Sequence, residues 1–283
     1  MTLQFDKLLD VQPSDGGFKI DFQEQTVLWW VNGGFVAGAL LRAAEQSSRH
    51  ERPTSMSVQF ASPVRAGESD MEVSQLSAAN SAQLHEVRLS QAKKLRAIGH
   101  VWSLDERRGP VQREARMPDV PHPDELRPIE DVMEPGESNP TKFWDVFEQR
   151  PINKVKWRER RHYAPRFLRW FRYREPDTSS SLYMRAAMAL PIIDTMGIPA
   201  AGVAKGANVL EFLAPTIQLS THFYELDELD GWLLGDSYAE SAERGVINSR
   251  VNVWSVRGAL IAQGLTQAVT KSGEGAYVSP DKK

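Results

Sequence analysis

The apolar run from Ser181 to Gly197 is broken by a single acid, Asp194. Leu182, Ala186, Ala189, Leu190 and Ile193 recur at helical spacing and predict a helix with a core-facing side; Asp194 falls one turn beyond Leu190, beside that side. A carboxylate placed there loses hydration, which disfavours its charged form and strengthens each hydrogen bond it makes. Those properties suit a group that holds or deprotonates a water. The bland alternative is an Asp near a helix end that reaches solvent or a turn amide. A second candidate is Asn32-Gly33-Gly34, at the entrance of the largely apolar stretch Trp29–Glu45. Free amides at a helix start bind an anion or a polarised carbonyl. An Asn cap followed by glycines for close packing accounts for the same residues without a ligand.

The strongest local charge anomaly lies between Lys154 and Arg174, where Lys154, Lys156, Arg158, Arg160, Arg161, Arg166, Arg169, Arg172 and Arg174 alternate with aromatic residues and only Glu159 offsets them. As structure this is a basic outer strand face whose rings fill the core. As function it would receive the phosphates and adenine of coenzyme A, or an RNA strand. The six histidines show no metal-ligand spacing, no Gly-x-Ser-x-Gly elbow is present, and Gly202-Val203-Ala204-Lys205-Gly206 is too poor in glycine for a phosphate loop. The expectation is therefore no metal and no cofactor.

Behind these residues stands a chain of 283 residues without cysteine, which excludes disulfides and thiolate chemistry and fits a reducing, cytoplasmic setting. A net charge of -3 gives no global drive toward nucleic acid, and no run of about 18 consecutive apolar residues predicts a membrane span. Strand-like alternation recurs after the first helical stretch at Met56–Phe60, Met71–Ser74, Val87–Ser90 and Ile98–Trp102, with turn signals at Ser62–Gly67 and Ala78–Ser81. After the second helix it recurs at Thr216–Tyr224, Trp232–Ala239, Val246–Trp254 and Leu260–Val269. Helix then meander, twice over, predicts two copies of one α+β unit, at 1–108 and 151–283, joined by a proline-rich charged linker at 109–150. Within the linker, Phe143–Phe147 reads as a short docking helix.

With these pieces in hand the chain resembles the acyl-CoA thioesterases of double-hotdog fold, the thioesterase II type, in which each sheet wraps a long central helix. Val31-Asn32-Gly33-Gly34-Phe35-Val36-Ala37 and Leu40-Leu41-Arg42-Ala43-Ala44 look like that family's first central helix. Val58-Gln59-Phe60 with Pro63–Gly67, Pro215-Thr216 through His222-Phe223, and Gly231-Trp232-Leu233 look like its strands. The resemblance implies hydrolysis of an acyl-CoA thioester by an Asp, a Thr and a Gln that orient a water, with no covalent acyl-enzyme and no cofactor. Asp194 falls at the acid and Thr216 at the threonine. The Gln position is open. Gln267 is taken first and Gln263 second, although a plain alignment puts Thr266 there and Gln267 then needs a bulge or a one-residue slip. Asn32, Gly33, Gly34 and Gln263 are the expected substrate-binding residues. The partner is an acyl-CoA substrate, with neither nucleic acid nor membrane; open sheet edges in such a fold favour a homo-oligomer, a dimer or larger. From another class, the rival reading is a non-catalytic acyl-CoA or acyl-carrier binder.

Overall fold

In the computed structural model of the chain, residues 3–105, 112–133, 141–153, 163–175, 181–205 and 214–270 are described. The basic stretch from Lys154 to His162 and Gly206 lie outside them, whereas Gly202–Lys205 end the second central helix. A one-turn helix, α1 (Phe5–Leu8), leads into β1 (Gln12–Ser14), β2 (Gly17–Phe22) and the first central helix, α2 (Gly33–Ser47). Four strands follow, β3 (Arg52–Phe60), β4 (Gly67–Ala79), β5 (Ala82–Gln91) and β6 (Lys94–Leu104). The second half repeats the plan with β7 (Phe147–Pro151), β8 (Arg166–Tyr173), the second central helix α3 (Leu182–Lys205), β9 (Thr216–Phe223), β10 (Leu233–Glu243), β11 (Val246–Ser255) and β12 (Leu260–Val269).

All twelve strands form one antiparallel sheet in the order β1-β2-β4-β5-β6-β3-β9-β12-β11-β10-β8-β7. The order reads the same from either edge once β1–β6 are matched to their second-half counterparts, so the fold is an α+β double hotdog with the halves joined at β3 and β9. There Ser57 pairs with Ser220, flanked by Ser55 with His222 and Gln59 with Gln218. Even the irregularities match. β3 carries a bulge between Pro53 and Ser55 against β6, and β9 carries one between Thr216 and Gln218 against β12.

Both helices are buried along most of their length because the sheet curls round them. α3 is long and apolar enough to cross a membrane by length and composition, but it forms core: Ala186, Ala189, Leu190 and Ile193 are fully buried. The helices cross where α2 has no side chain. A Cβ on Gly34 would stand 2.3 Å from the Leu190 carbonyl oxygen, and one on Gly38 would lie 2.8 Å from a Leu9 methyl. On the far side of α3, Gly264 of β12 makes room for Ile193 in the same way.

Three local expectations need amendment. α2 begins at Gly33, leaving Trp29 and Trp30 outside it, because Asn32 caps it by accepting from the Gly34 amide at 3.0 Å. The linker is not mere spacer. Its 112–133 part lies over the second half, with Met117, Val120 and Leu126 packed on Trp170, Trp232, Leu234 and Trp254 and the Trp170 indole donating to the Pro121 carbonyl. Phe143 docks edge-on against Phe35 from a short 3-10 helix, Lys142–Val146, which runs directly into β7. The described arginines of the basic segment are engaged within the fold. Arg166 pairs with Asp236, Arg172 with Glu148 and Arg174 with Glu130, while Arg169 donates to Gln149, its guanidinium pushed down to about 10 by burial.

Candidate active site

Asp194 lies on the side of α3 that meets the start of α2, a consequence of its position one turn past Leu190 at the helix crossing. It is 7% exposed. The Asn32 side-chain amide donates to Asp194 Oδ2 at 2.7 Å and to the Thr195 hydroxyl at 3.2 Å. Asp194 Oδ1 is buried without a hydrogen-bond partner among the described residues. Gly33 lies beside this oxygen, where a Cβ would approach Oδ1 to 2.9 Å. Burial pushes the Asp194 carboxyl above the usual carboxylate range; the Thr216 hydroxyl and the amides of Gly33 and Gly34 oppose that rise.

Thr216 reaches this corner because of the bulge in β9. Regular alternation would turn it outward with Gln218, but the extra residue Ile217 sets it opposite Ala268, which is buried on the α3 side. Asp194, Thr216 and Gly33 together border a cavity of about 190 Å³ whose other walls include Trp30, Phe60, Pro215 and Ile217. Asp194 is the ionisable residue of that lining, so the space is apolar apart from the acid, Thr216, Ser62 and the backbone.

The last strand does not bring a glutamine here. Gly264, Thr266 and Ala268 of β12 turn toward α3 and are buried, whereas Gln263, Leu265 and Gln267 turn outward, with Leu265 56% exposed. Gln267 donates to Asn248 at 2.9 Å and Gln263 to Asn252 at 2.8 Å, both on the outer face of the sheet. The bulge at Ile217 lies on β9 and re-aims Thr216, whereas the irregularity of β12 against β11 lies at Ile261, ahead of Gln263, and leaves Gln263 and Gln267 facing outward. The inward hydroxyl is that of Thr266, close enough to α3 that a Cβ on Gly197 would meet it at 2.5 Å.

Two family models match the sequence, one for the acyl-CoA thioesterase N-terminal domain over residues 25–104 and one for the acyl-CoA thioesterase C-terminal domain over residues 123–270. The chain belongs to the acyl-CoA thioesterase family. No curated protein matches it. Among solved structures, a hotdog-fold protein of unknown function from Alicyclobacillus acidocaldarius superposes with a TM-score of 0.80 at 19% identity, covering 96% of this chain and 100% of that one. The acyl-CoA thioesterase II TesB2 from Mycobacterium marinum superposes with a TM-score of 0.75 at 17% identity, covering 96% and 99%. A tesB protein from Mycobacterium avium subspecies paratuberculosis gives 0.75 at 16%, covering 95% and 98%. These likenesses carry the fold.

The internal repeat of this acyl-CoA thioesterase family member creates a second, related corner with different chemistry. Asp194 lies twelve residues into α3 from Leu182, and Glu45 lies twelve into α2 from Gly33. Asn32 precedes α2 and grips Asp194; Ser181 precedes α3 and donates to Glu45. At the second corner, however, Arg42 pairs with Glu45, and the bulged strand presents Pro53 where the first presents Thr216. The grip of Asn32 on Asp194 was not read from sequence, although the equal spacings Asn32–Glu45 and Ser181–Asp194 were there to be seen.

Proposed function

We propose that the protein hydrolyses an acyl-CoA thioester to the free acid and coenzyme A, with a water held between Asp194 and Thr216. The observation that carries this reading is the unpartnered, buried Asp194 Oδ1 beside Thr216 at an apolar cavity. A thioester carbonyl is electrophilic enough for a positioned water, so the site has to supply orientation, a base and support for the developing oxyanion. Asp194, kept out of bulk water, accepts the proton of that water; Thr216 both donates and accepts and so fixes its lone pairs. The carbonyl oxygen of the thioester turns toward the start of α2, where the Gly33 amide has no i−4 carbonyl to serve. Coenzyme A leaves as the thiol once the tetrahedral intermediate collapses and the proton returns to sulfur. A cytoplasmic, homo-oligomeric protein whose two repeats are the unit 1–108 and a second unit that starts at β7 rather than at 151 completes the reading.

Because neither Gln263 nor Gln267 turns toward Asp194, a second reading stands beside it: a binder of acyl-CoA or acyl-carrier thioesters that has kept the fold. Release of free thiol from a panel of acyl-CoAs, from acetyl to palmitoyl and including benzoyl, separates the two. Hydrolysis predicts turnover with at least one member of the panel and a loss of about tenfold to a hundredfold in Thr216→Val, the worth of a hydrogen bond to a reacting group. Tight binding without thiol release across the panel would favour the binder.

A further inference from the structure

We infer that Asn32 is a positioning residue for the base: its side-chain amide clamps Asp194 Oδ2 from the opposite helix and so leaves Oδ1 facing the cavity. The inference rests on the hydrolase reading for its kinetic consequence, but its geometry stands apart from it. Asn32 is 4% exposed and is fixed on several sides. Its backbone amide donates to the Thr26 carbonyl at 2.9 Å, its Oδ1 accepts from the Gly34 amide at 3.0 Å, and the planar side chain therefore has its Nδ2 turned to Asp194. The orientation of that amide is not interchangeable, because the Gly34 N–H needs an oxygen and the carboxylate needs a donor.

A cap alone does not call for Asn. Ser, Thr and Asp cap helices about as well, through one acceptor oxygen. What Asn adds is a donor on the same rigid group, and it is aimed at the acid of the other helix. The internal repeat supplies a control within the molecule. At the related corner the residue before α3 is Ser181, whose hydroxyl donates to Glu45 in the clamp position and accepts from the Met184 amide at 3.3 Å, and there the acid is the longer Glu45. A short hydroxyl reaches a Glu but leaves an Asp one methylene too far. Asn at 32 and Asp at 194 are thus a matched pair, and the first half of the chain contributes to a site whose acid lies in the second.

Substitutions that keep the cap and remove the donor test the clamp. Asn32→Ser retains an acceptor for Gly34, so its thermal midpoint stays near that of the parent. Its kcat is expected to fall roughly tenfold to a hundredfold, the equivalent of a lost hydrogen bond to a charged group, with KM changed less than about twofold. The acid limb of its pH profile moves to higher pH, since the carboxylate has lost a donor that favours its charged form. Asn32→Asp also caps, but it sets a second carboxylate against Asp194 and moves that limb further. Carboxyl-carbon NMR of the intact protein, with Asp194→Asn used to assign the signal, reads the same effect without turnover: Asp194 must titrate at higher pH in Asn32→Ser than in the parent. An Asp194 titration and, where turnover is measured, a kcat both unchanged in Asn32→Ser would reduce Asn32 to a cap and overturn the inference. Absence of thiol release in the parent with a displaced Asp194 titration would instead sink the hydrolase reading and leave the clamp standing.

Discussion

At Asp194 stability and the proposed chemistry oppose one another. Removing the charge while keeping the shape, as in Asp194→Asn, relieves the desolvation that pushes this carboxyl up. A group whose folded pKa is raised contributes stability below its ordinary value of 3.8 and loses that contribution as pH rises through the folded value. The thermal midpoint of Asp194→Asn should therefore equal or exceed that of the parent at pH 8, with the difference shrinking toward pH 4; a variant less stable at pH 8 than at pH 4, relative to the parent, would contradict the burial argument. His85 carries the opposite sign. It is 1% exposed and burial holds its imidazole below the ordinary 6.5, against a Ser47 carbonyl that partly restores it, with His50 adding to the depression. The stability it contributes is present above about 6.5 and lost as pH falls below that toward the folded value. His85→Gln should flatten the pH dependence of urea unfolding between pH 7 and 5. Asp194 itself was legible in the sequence, because one acid in an apolar helical face stands out whatever surrounds it. Its partner Asn32 was legible only as a cap, since the contact spans two helices far apart in sequence and no local pattern encodes it.

At the scale of elements, the geometry of the site depends on how closely α2 approaches α3. That distance is set by Gly34, where the nearest obstacle to a Cβ is backbone, the Leu190 carbonyl, which cannot swing aside. Gly34→Ala should cost about 1–3 kcal/mol in denaturant unfolding, and because Asn32 and Asp194 sit on the two helices being forced apart, it should also lower turnover. A variant of parental stability would mean that the crossing has slack. The strands themselves were readable from alternation, and so was the pairing of helix with meander. What alternation could not give was the bulge at Ile217. A residue inserted into a strand leaves the local composition unchanged, yet it decides whether Thr216 faces α3 or solvent. For the same reason the parity of β12 was read correctly, with Gln263 and Gln267 on one face and Thr266 on the other, while the direction of that face had to come from the fold. β7 escaped notice because an edge strand ending in Pro151 and lying among prolines and charges has little pattern to show.

Over the whole molecule, a duplicated unit becomes, on the proposed reading, one site and one structural copy of it. The halves share a single sheet, and their matched bulges and helix starts generate two corners, but among the described residues only the Asp194 corner combines a strand hydroxyl with an acid unpaired with a cation. The other holds Glu45 against Arg42 and Ser181, and the residue of β3 equivalent to Thr216 is Pro53, which has no hydroxyl to offer. Glu45→Gln should therefore leave thiol release within about twofold of the parent and cost no more than about 1 kcal/mol, the scale of a partly exposed ion pair; a loss of turnover comparable to that of an Asp194 variant would mean that both corners work. The edge strands bear on assembly. β1 is three residues long and contains Pro13, and β7 ends at Pro151, so both edges present few free ladder groups to another chain, contrary to the expectation of open edges, and a homo-oligomer would have to form through another surface.

Whether Asp194 activates the water that cleaves the thioester is decided by thiol release from the best acyl-CoA of the panel, measured for the parent and for Asp194→Asn at equal, verified folding. Clear turnover by the parent is expected, with a loss of at least about a thousandfold in the variant, in keeping with removal of a general base together with its hold on the water. Turnover by Asp194→Asn within tenfold of the parent would remove this carboxylate from the chemistry.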